Sequence, residues 1–218
     1  MLYSIAEIFY SIQGEGRNTG MPAWFVRLAG CNLNCEWCDT NHEKKMTMGE
    51  KDIIHFFELK PYNSFLKTVL GFRKGQICKN VVLTGGEPSI QKLRPLLERL
   101  KKKGFYVAIE TNGTKSLLNY KGSGLLDWVT VSPKVLPLKV DCHIDEIKLV
   151  WPSELELEEV EKIPARHYYL QPMDVQGGTG SLKDNGRAER NHIETVQTVL
   201  RNPKWRLSLQ TQKIIGLR

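Results

Sequence analysis

Nowhere in these 218 residues does an apolar run approach the roughly 20 residues that a membrane-spanning helix requires. The opening stretch, Met-Leu-Tyr-Ser-Ile-Ala-Glu-Ile-Phe-Tyr, has neither the basic start nor the long apolar centre of a secretory signal. Cysteine is scarce: of five, three fall within eight residues, while Cys78 and Cys142 stand alone. An odd-numbered cluster excludes a disulfide scaffold and leads us to expect a reducing, cytoplasmic setting, with the two isolated thiols as ordinary partly buried side chains. No linker, repeat or low-complexity tract divides the chain, so one domain over residues 1–218 is expected. With 41% hydrophobic and 25% charged residues, the chain can build a sizeable core.

A net charge of +7 could indicate nucleic acid, but the basic residues are spread along the chain. The densest run, Lys101-Lys102-Lys103, falls where a helix should end, and cations there complement the helix dipole. Direct nucleic-acid binding is therefore not expected. An anionic small substrate suits a basic protein equally well.

The most informative stretch is Cys31-Asn-Leu-Asn-Cys35-Glu-Trp37-Cys38-Asp39-Thr40, which follows the strand-like run 23–29. Spacings of three and two residues let three sulfurs converge from one loop. A structural zinc site is closed by four protein ligands. Three cysteines without an obvious fourth instead suggest a [4Fe–4S] cluster with one iron open to a further ligand. A zinc knuckle that borrows His42 is the competing reading.

Elsewhere strands alternate with helices. A first strand over 2–9 enters the glycine-rich turn Ser11-Ile12-Gln13-Gly14-Glu15-Gly16, whose glycines free the backbone for close approach, although a plain hairpin turn has the same composition. Residues 50–70 read as one or two helices broken near Pro61, with Ile53, Ile54, Phe56, Phe57, Leu66, Val69 and Leu70 as the apolar positions. Strand 80–84 ends in Gly85-Gly86-Glu87-Pro88 and is followed by a helix carrying Leu93, Leu96, Leu97 and Leu100 on one face, with Pro95 in its first turn. Strand 105–109 ends in Glu110-Thr-Asn-Gly113, and strand 128–131 in Ser132-Pro133-Lys134. Strand 146–150 precedes a helix over 153–162, and strand 168–170 ends in Gln171-Pro172-Met173-Asp174. A loop with Gly177, Gly178 and Gly180 leads to a helix over about 187–201 and a last strand over 205–209. This alternation predicts an α/β parallel sheet with right-handed crossovers. A closed barrel of this kind takes about 250 residues, and several connections here are too short for full helices, so an incomplete, open barrel is expected. Its polar motifs would gather at the C-terminal strand ends, where such barrels place their chemistry.

Cys-x₃-Cys-x₂-Cys with an aromatic before the last Cys resembles the cluster signature of the radical S-adenosylmethionine (SAM) superfamily, which implies an open barrel, a [4Fe–4S] cluster on Cys31, Cys35 and Cys38, and SAM bound to the open iron. The resemblance implies SAM contacts from Trp37, Cys38 and Asp39, from Gly86 and Glu87, from Ser132, Pro133 and Lys134, and from Gln171, Pro172, Met173 and Asp174. Phe9-Tyr-Ser-Ile-Gln-Gly-Glu-Gly16, Arg27, the cysteine stretch, Leu83-Thr84-Gly-Gly-Glu-Pro88 and the ending Leu207–Arg218 together are similar to the 7-carboxy-7-deazaguanine synthase family over residues 3–218, with 41–80 the least similar part. That resemblance implies conversion of 6-carboxy-5,6,7,8-tetrahydropterin to 7-carboxy-7-deazaguanine with loss of ammonia, on the route to queuosine and other deazapurines. The deoxyadenosyl radical would take hydrogen from C6 and SAM would be regenerated; the cofactors carry the hard chemistry.

Arg27, in an otherwise apolar strand, suits the substrate carboxylate because guanidinium binds it bidentately, although a structural salt bridge would satisfy it too. Ile12, Gln13, Gly14 and Glu15 suit the amide edge of a pterin, and Thr84 can offer a hydroxyl. Thr40 resembles the family's Mg²⁺ ligand, while its residue type alone equally suits a helix N-cap. Arg218 would reach the substrate, from a homodimer, and an electron donor such as flavodoxin or ferredoxin is implied. Two other functions fit parts of the pattern. One is a radical SAM activase that makes a glycyl radical on a partner protein, and the other is a non-catalytic, metal-stabilised RNA-binding module.

Overall fold

The computed structural model describes residues 1–59, 78–174 and 186–217. Among the described residues nine strands form one sheet. In chain order they are β1 (Leu2–Ile12), β2 (Pro22–Leu28), β3 (Met46–Gly49), β4 (Asn80–Gly85), β5 (Tyr106–Thr111), β6 (Trp128–Val131), β7 (Ile144–Trp151), β8 (Ala165–Pro172) and β9 (Arg206–Leu207). The spatial order is β3-β1-β2-β4-β5-β6-β7-β8-β9, and β2 and β4 to β9 run parallel. The sheet has two free edges, as the open-barrel expectation requires.

Two strands depart from the expected parallel pattern. β1 runs antiparallel to both β2 and β3, and it continues three residues beyond the expected end at Phe9. The glycine-rich turn is thus the connection of a β1–β2 hairpin, as the plainer reading allowed, and it starts from the end of the sheet opposite the cysteine loop. The short edge strand β3 escapes sequence analysis because Met-Thr-Met-Gly carries no alternation; it forms by pairing with β1 and packing beside the helix that follows it.

The helices cover the outer face. Helix α1 (Glu50–Leu59) buries Ile53, Ile54 and Phe57, and Phe57 stacks on Trp24 at 5.0 Å. Helix α2 (Arg94–Lys102) buries Leu96, Leu97 and Leu100 completely, as is Leu93 just before it. At roughly 2 kcal/mol per buried leucine, this face outweighs the absence of a side-chain N-cap. Pro95 occupies the first turn, where no helical N–H is lost. Lys101 and Lys102 end the helix and Lys101 is paired 2.7 Å from Asp127, so the basic run is a helix terminus.

Later connections are thin. Only the four-residue α3 (Leu118–Lys121) lies between β5 and β6, and no helix lies between β6 and β7. The helix expected over 153–162 shrinks to α4 (Leu157–Glu161), because its flanks give way to loop around cis Pro152 and before β8. Helix α5 (Arg187–Arg201) matches its expected span. The last strand is two residues long, and a short helix α6 (Thr211–Ile214) follows. Pro61, Leu66, Val69, Leu70, Gly177, Gly178, Gly180 and Arg218 lie outside the described residues.

The C-terminal ends of β2, β4, β5, β6 and β8 carry the cysteine loop, Gly85–Pro88, Glu110–Gly113, Ser132–Lys134 and Gln171–Asp174, all at one end of the sheet. Gly85 combines a close approach with a backbone conformation that favours glycine. Its φ is +129°, and a Cβ there would lie 2.1 Å from the Leu28 carbonyl oxygen. Gly85→Ala is expected to cost about 4 kcal/mol, because backbone must move, whereas Gly104→Ala, with φ +75° but open space around it, should cost only about 1–2 kcal/mol. Urea unfolding of the two variants measures the difference.

Candidate active site

Strand register lays a polar row across the concave face of the sheet. Glu7 pairs with Arg27, Arg27 with Thr84, Glu110 with Thr130, Thr130 with Glu146 and Glu146 with His167. Thr84 closes the row by donating to Glu110 Oε2 at 3.3 Å. One step towards the N-terminal strand ends lies an apolar row, Phe9–Phe25–Val82–Ala108–Trp128. Period-2 alternation explains the pair of rows, since intervening residues such as Val26, Leu83, Ile109 and Val131 face the helices and are buried in the main core. A small cavity follows the polar row, between Gln13, Glu15, Glu110, Thr130 and Glu146.

Two of the cavity's acids, Glu15 and, at 3.7 Å, Glu110, pair with Lys148 of β7, which is almost fully buried. Burial alone would push this ammonium down, but Glu110, Glu15 and Glu146 together hold it well above the usual lysine range. Burial would likewise raise the Glu15 carboxyl, and Lys148 with a hydrogen bond from Gln210 outweighs it and holds Glu15 low. Glu146 is the group left over. Burial pushes it up to about 7, although Lys148 and the Arg17 N–H, which donates to Oε2 at 2.7 Å, pull the other way.

Arg27 lies at one end of the row. Its Nη1 reaches Glu7 at 3.4 Å, and its guanidinium sits 5.4 Å above the Phe9 ring. Its Nε is buried with no hydrogen-bond partner. The salt bridge foreseen as the alternative therefore exists, yet it is long and leaves part of the guanidinium fork unused.

The cysteine loop stands above the row. Cys31, Cys35 and Cys38 are all free and partly buried. The Gly85–Glu87 turn clasps the loop's start: Gly86 N–H donates to Leu28 O at 3.1 Å and Glu87 N–H to Gly30 O at 2.9 Å. A Cβ on Gly86 would meet Gly30 O at 2.0 Å, so the paired glycines are needed to seat the loop. Glu87 is fully buried and accepts from Ser89 N–H and Oγ and from Thr111 Oγ1 on Oε1, and from Asn112 N–H on Oε2. Most of its acceptor capacity is thus spent on anchoring β4 to β5, and what remains for a ligand is on Oε2. Lys134 donates to Ser132 Oγ at 2.6 Å and lies 4.7 Å over the Trp37 ring; burial, with Lys148 second, lowers it to about 8.

The C-terminal segment joins the two halves. Gln210 Nε2 donates to Glu15 Oε1 at 2.8 Å and to Asp39 Oδ2 at 3.1 Å. Thr211 donates to Gly14 O from both N–H and hydroxyl, at 3.0 and 2.9 Å. A Cβ on Gly14 would strike Gln212, so this glycine is required for the segment to lie across the turn. Lys213 pairs with Asp39 at 2.8 Å and with Asp174. Ser208 donates to Gln171 Oε1 at 3.2 Å, and Met173 is tied through Trp151 O and Asn191.

The sequence profile of the Radical SAM superfamily matches residues 26–141. A 7-carboxy-7-deazaguanine synthase of Bacteroides thetaiotaomicron is 40% identical over the full length of both chains. That of Haemophilus influenzae is 37% identical, covering 99% of this chain and 94% of its own. The chain belongs to the 7-carboxy-7-deazaguanine synthase family. The crystal structure of QueE from Escherichia coli superposes with a TM-score of 0.64 at 28% identity, covering 96% of this chain and 94% of that one.

A radical SAM enzyme of this family acts with a [4Fe–4S] cluster and SAM on a small molecule. The cysteine loop fits the cluster. Burial raises the Cys35 thiol, Lys134 opposes this, and Cys38 and Cys31 are near enough to raise it further, so three thiolates here call for a cationic core. Among the described residues no three His, Cys, Asp or Glu side chains converge where a single metal ion could be held. The superfamily match supports the [4Fe–4S] cluster over a zinc knuckle with His42. No helix starts at Thr40, which removes its reading as an N-cap; its hydroxyl donates to Asp39 Oδ1 at 3.2 Å.

Of the residues named from the family resemblance, Gln13 and Glu15 line the cavity, Arg27 and Thr84 lie in the polar row, and Asp39 and Asp174 are joined to the C-terminal segment through Lys213, while Arg218 lies outside the described residues. Ile12 ends β1, and Pro172 ends β8, so the expected turn at Gln171 begins two residues later than thought. Sequence reasoning missed Glu146, Lys148, Gln210, Gln212 and Lys213 and gave Glu110 no role. The charges at 146 and 148, two apart in an otherwise apolar strand, were the available signal. Lys148→Met should lower stability by about 3–5 kcal/mol at pH 8 by leaving buried carboxylates unpaired. The loss should shrink at pH 6, where those carboxylates can take up protons; urea midpoints at the two pH values check this.

Proposed function

We propose that this chain converts 6-carboxy-5,6,7,8-tetrahydropterin to 7-carboxy-7-deazaguanine with loss of ammonia, for queuosine or related deazapurines. The observation that carries the reading is Arg27, whose guanidinium keeps a buried, unused Nε at one end of the polar row. A planar carboxylate answers that vacancy in donors better than Glu7 does at 3.4 Å.

Cys31, Cys35 and Cys38 would hold the cluster, and Trp37–Asp39, Gly86–Glu87, Ser132–Lys134 and Gln171–Asp174 would hold SAM. Bound together, the two would supply the radical chemistry that acts at C6 of the substrate. The protein's own part is placement. Arg27 grips the substrate carboxylate, while Gln13 and Glu15, with the backbone of Ile12 and Gly14, meet the N–H-rich edge of the ring. Gln13 holds its place by donating to Glu110 at 2.8 Å. Thr84 offers its hydroxyl beside them. The Gln210–Lys213 segment covers the gap between the substrate and cofactor halves and excludes water from the radical's path.

Thr40 would offer its hydroxyl oxygen to Mg²⁺, an ion that commonly takes few protein ligands and keeps the rest of its shell for substrate and water. A flavodoxin or ferredoxin supplies the electron, the protein works in the cytoplasm, and a homodimer brings Arg218 to the substrate. Full-length similarity to synthases favours this reading over a glycyl-radical activase, whose protein substrate would need no carboxylate clamp. The densest basic run ends α2 and is partly paired with acids, which disfavours the RNA-binding module.

The deciding test is anaerobic. Reconstituted and reduced enzyme, given SAM, Mg²⁺ and the carboxylated pterin, should yield 7-carboxy-7-deazaguanine with many turnovers per SAM by mass spectrometry. Release of 5′-deoxyadenosine without that product would overturn the substrate. Arg27→Ala should lower turnover by at least a hundredfold, with the cluster's absorption and SAM binding retained; unchanged turnover removes Arg27 from the site. Thr40→Ala should raise the Mg²⁺ concentration needed for half-maximal rate by about tenfold or more, and an unmoved requirement places the ion elsewhere.

A further inference from the structure

Glu146 is used by nothing described so far. Its side chain is almost fully buried in the middle of the polar row, where it faces four elements. From the β1–β2 turn come the Arg17 N–H, which donates to Oε2 at 2.7 Å, and the Glu15 carboxylate. From β5 comes Glu110, and from β6 the Thr130 hydroxyl at 3.5 Å from Oε1. On β7 itself lies Lys148, and β8 presents His167, with Arg17 and Arg206 beyond it. Gly16 is built for this contact. Its φ is +63°, and a Cβ there would lie 2.1 Å from Glu146 Oε1.

We propose that Glu146 is a positioning residue for the substrate: it ties the Gly16–Arg17 backbone to β7 so that Gln13 and Glu15 are held over the cavity, and its proton sets the charge that an anionic ligand meets there. Lys148 against Glu15 and Glu110 leaves one net negative charge. A carboxylate at Glu146 makes it two, and the neutral acid leaves it at one while still accepting from Arg17 through its carbonyl oxygen. His167 does not compensate, since burial and the Arg17, Arg206 and Arg166 guanidinium groups disfavour its cation. A carboxylated pterin therefore binds more tightly when Glu146 carries its proton, which the burial of this group makes common near neutral pH. The direction follows from linkage: a carboxyl raised by burial gives up its favourable neutral state as pH climbs through about 7.

The inference rests on assigning the cavity to the pterin, and the test separates the two. The redox-inert probe 6-carboxypterin is titrated by tryptophan fluorescence into the cluster-loaded enzyme and its E146Q variant from pH 6 to pH 8. The native enzyme should lose about tenfold in affinity over that span and E146Q less than twofold. The ligand's own titration is common to both proteins, so the difference between the profiles is the readout. Equal slopes overturn the charge role. Independently of any ligand, hydrogen exchange at the Arg17 amide should speed up at least tenfold in E146A and stay slow in E146Q, which keeps an acceptor. Unchanged exchange in E146A overturns the tether. Absence of probe binding at every pH overturns the pterin assignment, and the tether is then decided by the exchange experiment.

Discussion

A buried ammonium cannot stand alone, and Lys148 is the buried ammonium around which this site is assembled. Leaving it unpaired would cost several kcal/mol. Its satisfaction draws Glu15 inward from the β1–β2 hairpin and Glu110 from β5. Glu15 in turn takes Gln210 and Gln212 from the C-terminal segment. Elements nearly two hundred residues apart in sequence thus meet over one cation. The hairpin turn begins at the wrong end of the sheet for the chemistry, and this charge is what commits it to the concave face.

The second constraint is the clasp of Gly85 and Gly86 on the residues before Cys31. It needs glycine for a steric reason, and the fully buried Glu87 behind it locks the same turn to β5 through Thr111 and Asn112. Glu87 is therefore as much a fastener as a ligand group. Cofactor loop and substrate row are then bridged at one side chain, Gln210, which donates to both Asp39 and Glu15. Family membership supplies the cluster and SAM, and this network supplies the fixed distances between them and the substrate.

Much was legible in the chain because the signals are local. Three cysteines at x₃ and x₂ spacing, glycines where backbone must approach, and apolar runs ending in polar turns all read out within a few residues. Helix α2 is written in its leucines, and the parallel class of the central strands was readable from the alternation of strands and helices. What failed was equally physical. Met46–Gly49 has no pattern of its own, and α4 is short because its flanks are turn and loop.

By itself the sequence determined the cysteine loop, the α/β class, the open barrel's approximate strand set and, through its motifs, the family. Only the tertiary structure decided that Arg27, Thr84, Glu110, Thr130 and Glu146 form one row, because register between strands is set by pairing and not by any single segment. It also decided that Lys148 is central and that the C-terminal segment spans both halves of the site. Those are long-range electrostatic matches, and a charge in a sequence carries no mark of the partner that burial will require it to find.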